Sequence, residues 1–106
     1  MIDYPIVTVD FETYYDKEYS LSKMQTDAYI LDPRFQIIGV GWRVNDGIAS
    51  WLSGRDDIGC SIFGTPEWWE DKAVLCHNTL FDGFILAQKF GIRPKLWLDT
   101  LAMGRA

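Results

Sequence analysis

The strongest restriction on the fold of this chain is a short apolar strand near its N-terminus. Residues 6–9 (Ile-Val-Thr-Val) are β-branched and present apolar surface to both faces of a sheet. Such a pattern is typical of a central strand that is covered on both sides. The strand leads directly into Asp10-Phe11-Glu12, so we expect two carboxylates at the end of a buried central strand.

Strand patterns recur along the rest of the chain. Further strands are predicted at 35–44, 48–52, 73–76 and 96–98. Asn45-Asp46-Gly47 predicts a tight turn that makes the first two of these a hairpin. Polar and aromatic residues from Thr13 to Pro33 predict a loop with one short helical turn at 20–24.

Helix signals lie between and after the later strands. Thr65-Pro66-Glu67 predicts a helix start, and apolar spacing predicts a helix from Leu80 to Phe90 that stops at Gly91. Asp99-Thr100 predicts the opening of another helix. This order predicts one α/β unit over residues 1–106, a mixed sheet flanked by helices.

Composition limits the class of protein. The chain is 48% hydrophobic and 15% aromatic, which predicts a packed core rather than disorder. A net charge of −5 argues against a basic patch as the main grip on nucleic acid, although bound metal ions would reverse the local field. Two isolated cysteines, no basic or secretory leader and no apolar run near 20 residues predict a cytoplasmic protein without a membrane partner.

Asp10 and Glu12 are the first candidate site. Residues two apart in a strand point to the same face, so both carboxylates project together. Their mutual repulsion favours a hard divalent cation such as Mg²⁺ or Mn²⁺ as a partner. The alternative is two exposed acids at a junction between strand and loop, and the motif alone does not decide between them.

The segment from His77 to Asp82 is the second candidate site. It follows the strand at 73–76 and opens a helix, where side chains of α/β folds commonly meet ligands. Asp82 is expected to face the Asp10 and Glu12 pair. The alternative is structural, with Thr79 as the N-cap and Asp82 as its acidic partner three residues later.

Together, VTVDFET and HNTLFD resemble the first two motifs of the DnaQ-like (DEDD) 3′→5′ exonuclease superfamily, and most closely the proofreading domains of phage-type family A DNA polymerases. The matching residues are Asp10, Glu12, Asn78, Phe81 and Asp82. LDTL at 98–101 is similar to the Asp-Thr segment that follows the second motif in these enzymes.

The resemblance implies a ribonuclease H-like fold and two-metal hydrolysis of the terminal phosphodiester of single-stranded DNA. Asp10, Glu12 and Asp82 would be the catalytic metal ligands for two Mg²⁺ or Mn²⁺ ions. The residues that would contact the terminal nucleotide are Phe11, Thr13, Asn78 and Phe81. A DNA polymerase domain, in the same chain or a partner chain, and the cytoplasm of a bacterial host are also implied.

One departure concerns the third motif of the family, Tyr-x-x-x-Asp or His-x-x-x-x-Asp. The only acid after Asp82 is Asp99, which matches the Asp-Thr segment, and His77 precedes Asn78. The 106 residues are therefore expected to be a partial domain, inactive by itself. Two alternatives stay open: a non-catalytic nucleic-acid-binding or polymerase-docking module, and a stand-alone oligoribonuclease-type exonuclease.

The five tryptophans are expected mainly in the core rather than in base stacking, and Trp68-Trp69 is the pair expected to be partly exposed, because adjacent helical residues cannot share one face.

Overall fold

A computed structural model describes residues 4–100 of the chain. It contains five strands: β1 (Ile6–Thr13), β2 (Ile37–Val44), β3 (Ser50–Ser53), β4 (Ala73–Cys76) and β5 (Leu96–Asp99). They form one sheet in the order β3-β2-β1-β4-β5. The pairs β1–β2 and β2–β3 are antiparallel, whereas β1–β4 and β4–β5 are parallel. The predicted α/β class with a mixed sheet is confirmed.

Helical segments connect the later strands. The α-helices are α1 (Thr26–Leu31), α2 (Arg55–Gly59) and α3 (Phe84–Phe90). Two 3₁₀ turns, Ile62–Gly64 and Pro66–Trp69, precede β4, and a π-helical turn, Thr79–Gly83, precedes α3. None of the helices in this part of the chain is long and apolar enough to cross a membrane.

The hydrophobic core lies on one face of the sheet. Along β1 the alternate residues Val7, Val9 and Phe11 are buried, while Asp10 and Glu12 are exposed. The helices pack on this buried face, and their core residues are Ile30, Ile58, Phe63, Trp69, Ile85 and Leu86. β1 is the central strand of the sheet, as expected, but Ile6 and Thr8 on its other face are only half-buried, so residues 6–9 are not fully covered on that side.

The β2–β3 hairpin follows its predicted turn. Asn45 adopts a left-handed conformation with φ of 50°, which asparagine tolerates better than most residues. Its side-chain Oδ1 accepts a hydrogen bond from the Ile6 amide at 2.9 Å. The turn therefore also fixes the beginning of β1.

The stop of α3 is confirmed. Gly91 closes the helix in the left-handed region with φ of 67°, and its amide donates to the Ala87 carbonyl at 3.2 Å.

Other boundaries differ from the sequence prediction. The segment before β2, expected to be largely loop, contains α1, and the loop after β3 contains α2. The helix expected from Leu80 begins as the π-helical turn at Thr79. The helix expected from Asp99-Thr100 lies almost entirely outside the described residues.

Candidate active site

The first acidic pair lies at the end of the central strand. Asp10 and Glu12 are both exposed on the open face of β1. Opposite them on β2 are Gly41 and Gly39, so no side chain from the neighbouring strand stands beside either carboxylate. The register shifts between Glu12 and Thr13, an irregularity of a kind that often re-aims side chains near functional sites.

Asp82 is joined directly to this strand. Its Oδ1 accepts a hydrogen bond from the backbone amide of Phe11 at 3.1 Å. The pairing of β1 with β4 extends only from Ile6 to Thr8, so the Phe11 amide lies beyond the last paired residue. The Asp82 carboxylate thus satisfies a strand donor that β4 does not reach.

A π-helical turn holds Asp82 in this position. Turns of this kind are rare and are often associated with functional sites. Asn78 caps it, since its Oδ1 accepts from the Leu80 amide at 3.0 Å. At the other sheet edge Asp99 of β5 anchors the turn by accepting from the amide and the hydroxyl of Thr79, at 3.1 and 2.8 Å.

The alternative capping role for Thr79 and Asp82 is wrong. Asn78 is the cap, and the Thr79 amide is bound by Asp99. His77 lies beside this anchor, with its Nδ1 3.0 Å from the Thr100 hydroxyl. Asp99 therefore belongs to the site, although the sequence had placed it only in the Asp-Thr segment after the second motif.

The buried position of Asp82 changes its acidity. It is 3% exposed, and burial raises the pKa of Asp82 to about 7. The Phe11 amide acts in the opposite direction, while the charges of Asp10, Glu12 and Asp99 raise the pKa further. Asp82 therefore lies within reach of the charges of three other carboxylates.

The acidic residues of the site also affect the pKa of Cys76. Burial is the main reason why the pKa of Cys76 rises to about 12, and the charges of Asp82, Asp99 and Asp10 add to it. This cysteine is 1% exposed, as expected for a core residue of β4. Asp99 is the direct β5 partner of Cys76 in the sheet, which places one of these acids beside the end of β4.

A cavity of about 330 Å³ opens beside Glu12. Its walls include Phe11, Thr13, Tyr29 and Phe81, so three of the four residues predicted to contact a terminal nucleotide line one space. The fourth, Asn78, is not part of this wall and serves as the cap instead. Exposed aliphatic and aromatic side chains, Leu21 and Tyr15, complete the rim.

Tyr29 is a wall residue that sequence reasoning missed. Its hydroxyl lies 2.9 Å from Thr13 Oγ1 and also donates to the Tyr14 carbonyl. Its ring stacks on the buried Tyr19 with centroids 4.5 Å apart, and it approaches Phe81 at 6.3 Å. Tyr29 therefore connects α1 to the end of β1 and to the π-helical turn.

The donor set suits a hard divalent cation in chemical type, because it consists of carboxylates whose mutual repulsion a cation would relieve. Within the described part of the chain, however, no three His, Cys, Asp or Glu side chains are arranged so that they could hold a metal ion. One oxygen of Asp82 is already engaged by Phe11. The exposed pair Asp10 and Glu12 is therefore the accessible part of the donor set.

No protein-family model, curated protein or solved structure was found to match the chain.

Two of the five tryptophans depart from the expected core position. Trp69 is fully buried, and Trp42 and Trp68 are half-buried. Trp51 is 53% exposed and Trp97 is 36% exposed. The expected partial exposure of the Trp68-Trp69 pair is seen at Trp68, but Trp51 and Trp97 are more exposed than either member of the pair.

Proposed function

We propose that the chain forms the part of a metal-dependent 3′→5′ exonuclease domain that carries the first two acidic motifs. The observation that carries the proposal is the bond between Asp82 and the Phe11 amide. It brings the acid of one motif to the backbone residue between the two acids of the other. The five-stranded mixed sheet is compatible with the ribonuclease H-like architecture that belongs to this proposal.

In this proposal the chain's own residues bind and orient the strand end. Asp10 and Glu12 would hold Mg²⁺ or Mn²⁺ on the open sheet face, with Asp82 as a further ligand once it has lost its proton. When bound, such ions polarise the phosphodiester and activate water. The cavity beside Glu12 would receive the terminal nucleotide between Phe11 and Phe81.

The hydrogen bond with Tyr29 holds the Thr13 hydroxyl in place, so these two side chains form a fixed part of the cavity wall. A preorganised wall of this kind reduces the conformational freedom lost when a nucleotide binds. The proposed substrate is the 3′ end of single-stranded DNA. The proposed setting is a polymerase with proofreading activity, phage-encoded and acting in the cytoplasm of a bacterial host.

A second candidate is a non-catalytic nucleic-acid-binding or polymerase-docking module. The observation in its favour is that the acids of residues 4–100 do not form a three-ligand metal cluster.

A labelled-oligonucleotide assay separates the two candidates. It compares the 106-residue chain, a version extended along its reading frame through a Tyr-x-x-x-Asp motif, and the extended version carrying Asp10→Ala. We expect little activity from the first, metal-dependent shortening from the 3′ end by the second, and loss of activity in the third. A small misplacement of catalytic groups already costs about a hundredfold, and here a ligand and the water-positioning side chain are both missing.

An extended version that is inert with both metals would favour the non-catalytic module. Parallel reactions on RNA and DNA strands of the same sequence test the oligoribonuclease alternative, which predicts faster shortening of RNA.

A further inference from the structure

Trp51 lies flat on the open face of the sheet because two glycines leave room for it. In β2–β3 pairing Trp51 is opposite Gly41, and its indole extends along the strand over Gly39. A Cβ atom at residue 39 would lie 2.1 Å from Trp51 Cζ2, so any side chain there would displace the ring. Despite this close packing on the backbone, 53% of Trp51 remains exposed.

The indole is a direct neighbour of the acidic pair. Gly41 of β2 is also paired with Asp10 of β1, and Gly39 of β2 is paired with Glu12 of β1. Directly opposed residues in an antiparallel pair share a face, so the two carboxylates and the Trp51 ring lie on the same open surface. The ring lies over β2, the strand next to β1, and adjacent strands are about 4.8 Å apart.

A depression of about 220 Å³ adjoins this surface. Asp10, Gly41 and Arg43 line it, together with Thr8. Arg43 is exposed and forms no ion pair with any of residues 4–100. One surface therefore carries the Arg43 guanidinium, which has no ion-pair partner among the described residues, together with the exposed Trp51 ring and the acidic pair.

We propose that this surface binds the single strand next to its 3′ end, with Trp51 stacked on a nucleobase and Arg43 contacting an adjoining phosphate. The proposal rests on the proposed function, since that function places the strand end at Asp10 and Glu12. Stacking suits a flat, half-exposed indole, because every nucleobase has a π-face. The guanidinium of Arg43 supplies the positive charge that the acidic face otherwise lacks.

An apolar protein segment is a poorer occupant of the same surface. It would use the indole, but it would leave the charges of Asp10, Glu12 and Arg43 desolvated without partners. A single strand matches all of these groups when a divalent ion accompanies it.

The test measures binding of a fluorescein-labelled oligothymidylate of eight nucleotides to the chain in Mg²⁺, by fluorescence anisotropy. Stacking of one base predicts that Trp51→Leu weakens binding about 5- to 150-fold, whereas Trp51→Phe keeps most of the affinity. Arg43→Gln is expected to weaken binding and to reduce the slope of log affinity against log salt concentration by about 1. The control is Tyr4→Leu, an exposed aromatic side chain before the start of β1, which is expected to bind like wild type.

An abasic strand of the same length distinguishes stacking from a general effect on the fold. Wild type and Trp51→Leu should bind it equally, because it offers no base. Equal weakening of Trp51→Leu for both strands, or wild-type affinity of Trp51→Leu for oligothymidylate, would overturn the proposal. If Trp51→Leu does not fold, quenching of tryptophan fluorescence by oligothymidylate must be smaller in Trp51→Phe than in wild type, and equal quenching refutes stacking.

Two further outcomes separate this inference from the proposed function. Trp51-dependent binding by an extended version that never hydrolyses DNA would support the surface and count against the exonuclease. Hydrolysis that depends on Asp10 but is unchanged by substitution of Trp51 and Arg43 would support the exonuclease and count against the proposed binding surface. A Trp51-dependent dimer in sedimentation, without oligonucleotide binding, would assign the surface to a second copy of the chain and overturn the proposal.

Discussion

Asp82 accepts a hydrogen bond from the backbone amide of Phe11, the residue that stands between Asp10 and Glu12. The two partners are 71 positions apart in the chain. Because the bond is to the backbone of a central strand, Asp82 is held at a fixed distance from the strand that carries the acidic pair. Burial and neighbouring charges give the Asp82 carboxyl group a pKa of about 7, well above the value of 3.8 for an aspartate exposed to water.

We predict that Asp82 makes stability depend on pH in a specific direction. Between pH of about 4 and 7 the folded protein keeps a proton on Asp82 that the unfolded chain has released. The free energy of unfolding should therefore fall as pH rises through this window and level off above about pH 7. A pKa change from 3.8 to about 7 corresponds to at most about 4 kcal/mol.

Urea unfolding in EDTA from pH 4 to 8 measures this effect. Asp82→Asn removes the titrating group and should flatten the profile, while Asp57→Asn, an exposed residue of α2, should leave it as in wild type. An unchanged slope in Asp82→Asn would show that another group is responsible.

Metal binding is predicted to be weak and to depend on Asp10. The exposed acids offer oxygen ligands, but the described residues form no three-ligand cluster, and Mg²⁺ keeps much of its water shell under such conditions. Calorimetric titration with Mn²⁺ should show loss of most of the binding in Asp10→Ala. Equal binding by wild type and Asp10→Ala, with Asp57→Asn as reference, would place the ion elsewhere.

Gly39→Ala is predicted to destabilise the fold by about 1–3 kcal/mol, the usual cost of overpacking. The added methyl would meet the Trp51 ring at 2.1 Å, so the indole must leave the sheet face. Denaturant unfolding measures the cost, and Trp51 fluorescence should report the displaced ring. Gly59→Ala is the matched control, because a Cβ there meets nothing within 4 Å. A loss in Gly59→Ala as large as in Gly39→Ala would contradict the steric explanation.

Tyr29→Phe is predicted to cost about 1–2 kcal/mol of stability. The substitution keeps the aromatic stacking but removes the hydroxyl that bonds Thr13 and the Tyr14 carbonyl. Tyr15→Phe, which is 73% exposed at the same cavity, should change stability by less than about 0.5 kcal/mol. Thermal unfolding of both variants tests this, and equal stabilities would remove Tyr29 from its supporting role.

Features encoded by local pattern were predictable from the sequence. The strand Ala73–Cys76, the turn at Asn45 and the helix stop at Gly91 each depend on residues within a few positions of one another. The two acidic motifs were visible for the same reason, since an Asp-x-Glu in a strand fixes its own geometry.

Features that depend on distant contacts were not predictable. The bond of Asp82 to Phe11, the anchoring of Thr79 by Asp99 and the contact of Tyr29 with Thr13 each join separate elements. The spacing of residues along the sequence does not predict contacts of this kind. Trp51 was expected in the core because tryptophan usually is, and only the strand register shows that Gly39 and Gly41 provide a shelf for it on the open face.

The central place of β1 has a consequence for biosynthesis. This strand precedes the other four strands in the chain, yet its antiparallel neighbour begins at Ile37 and its parallel neighbour only at Ala73. During translation the β4 side of β1 therefore stays unpaired until Ala73 and the residues after it have been made. An open strand edge of this kind is a target for aggregation. Slow translation between β3 and β4 would therefore lower the yield of folded protein more than the same delay after β5.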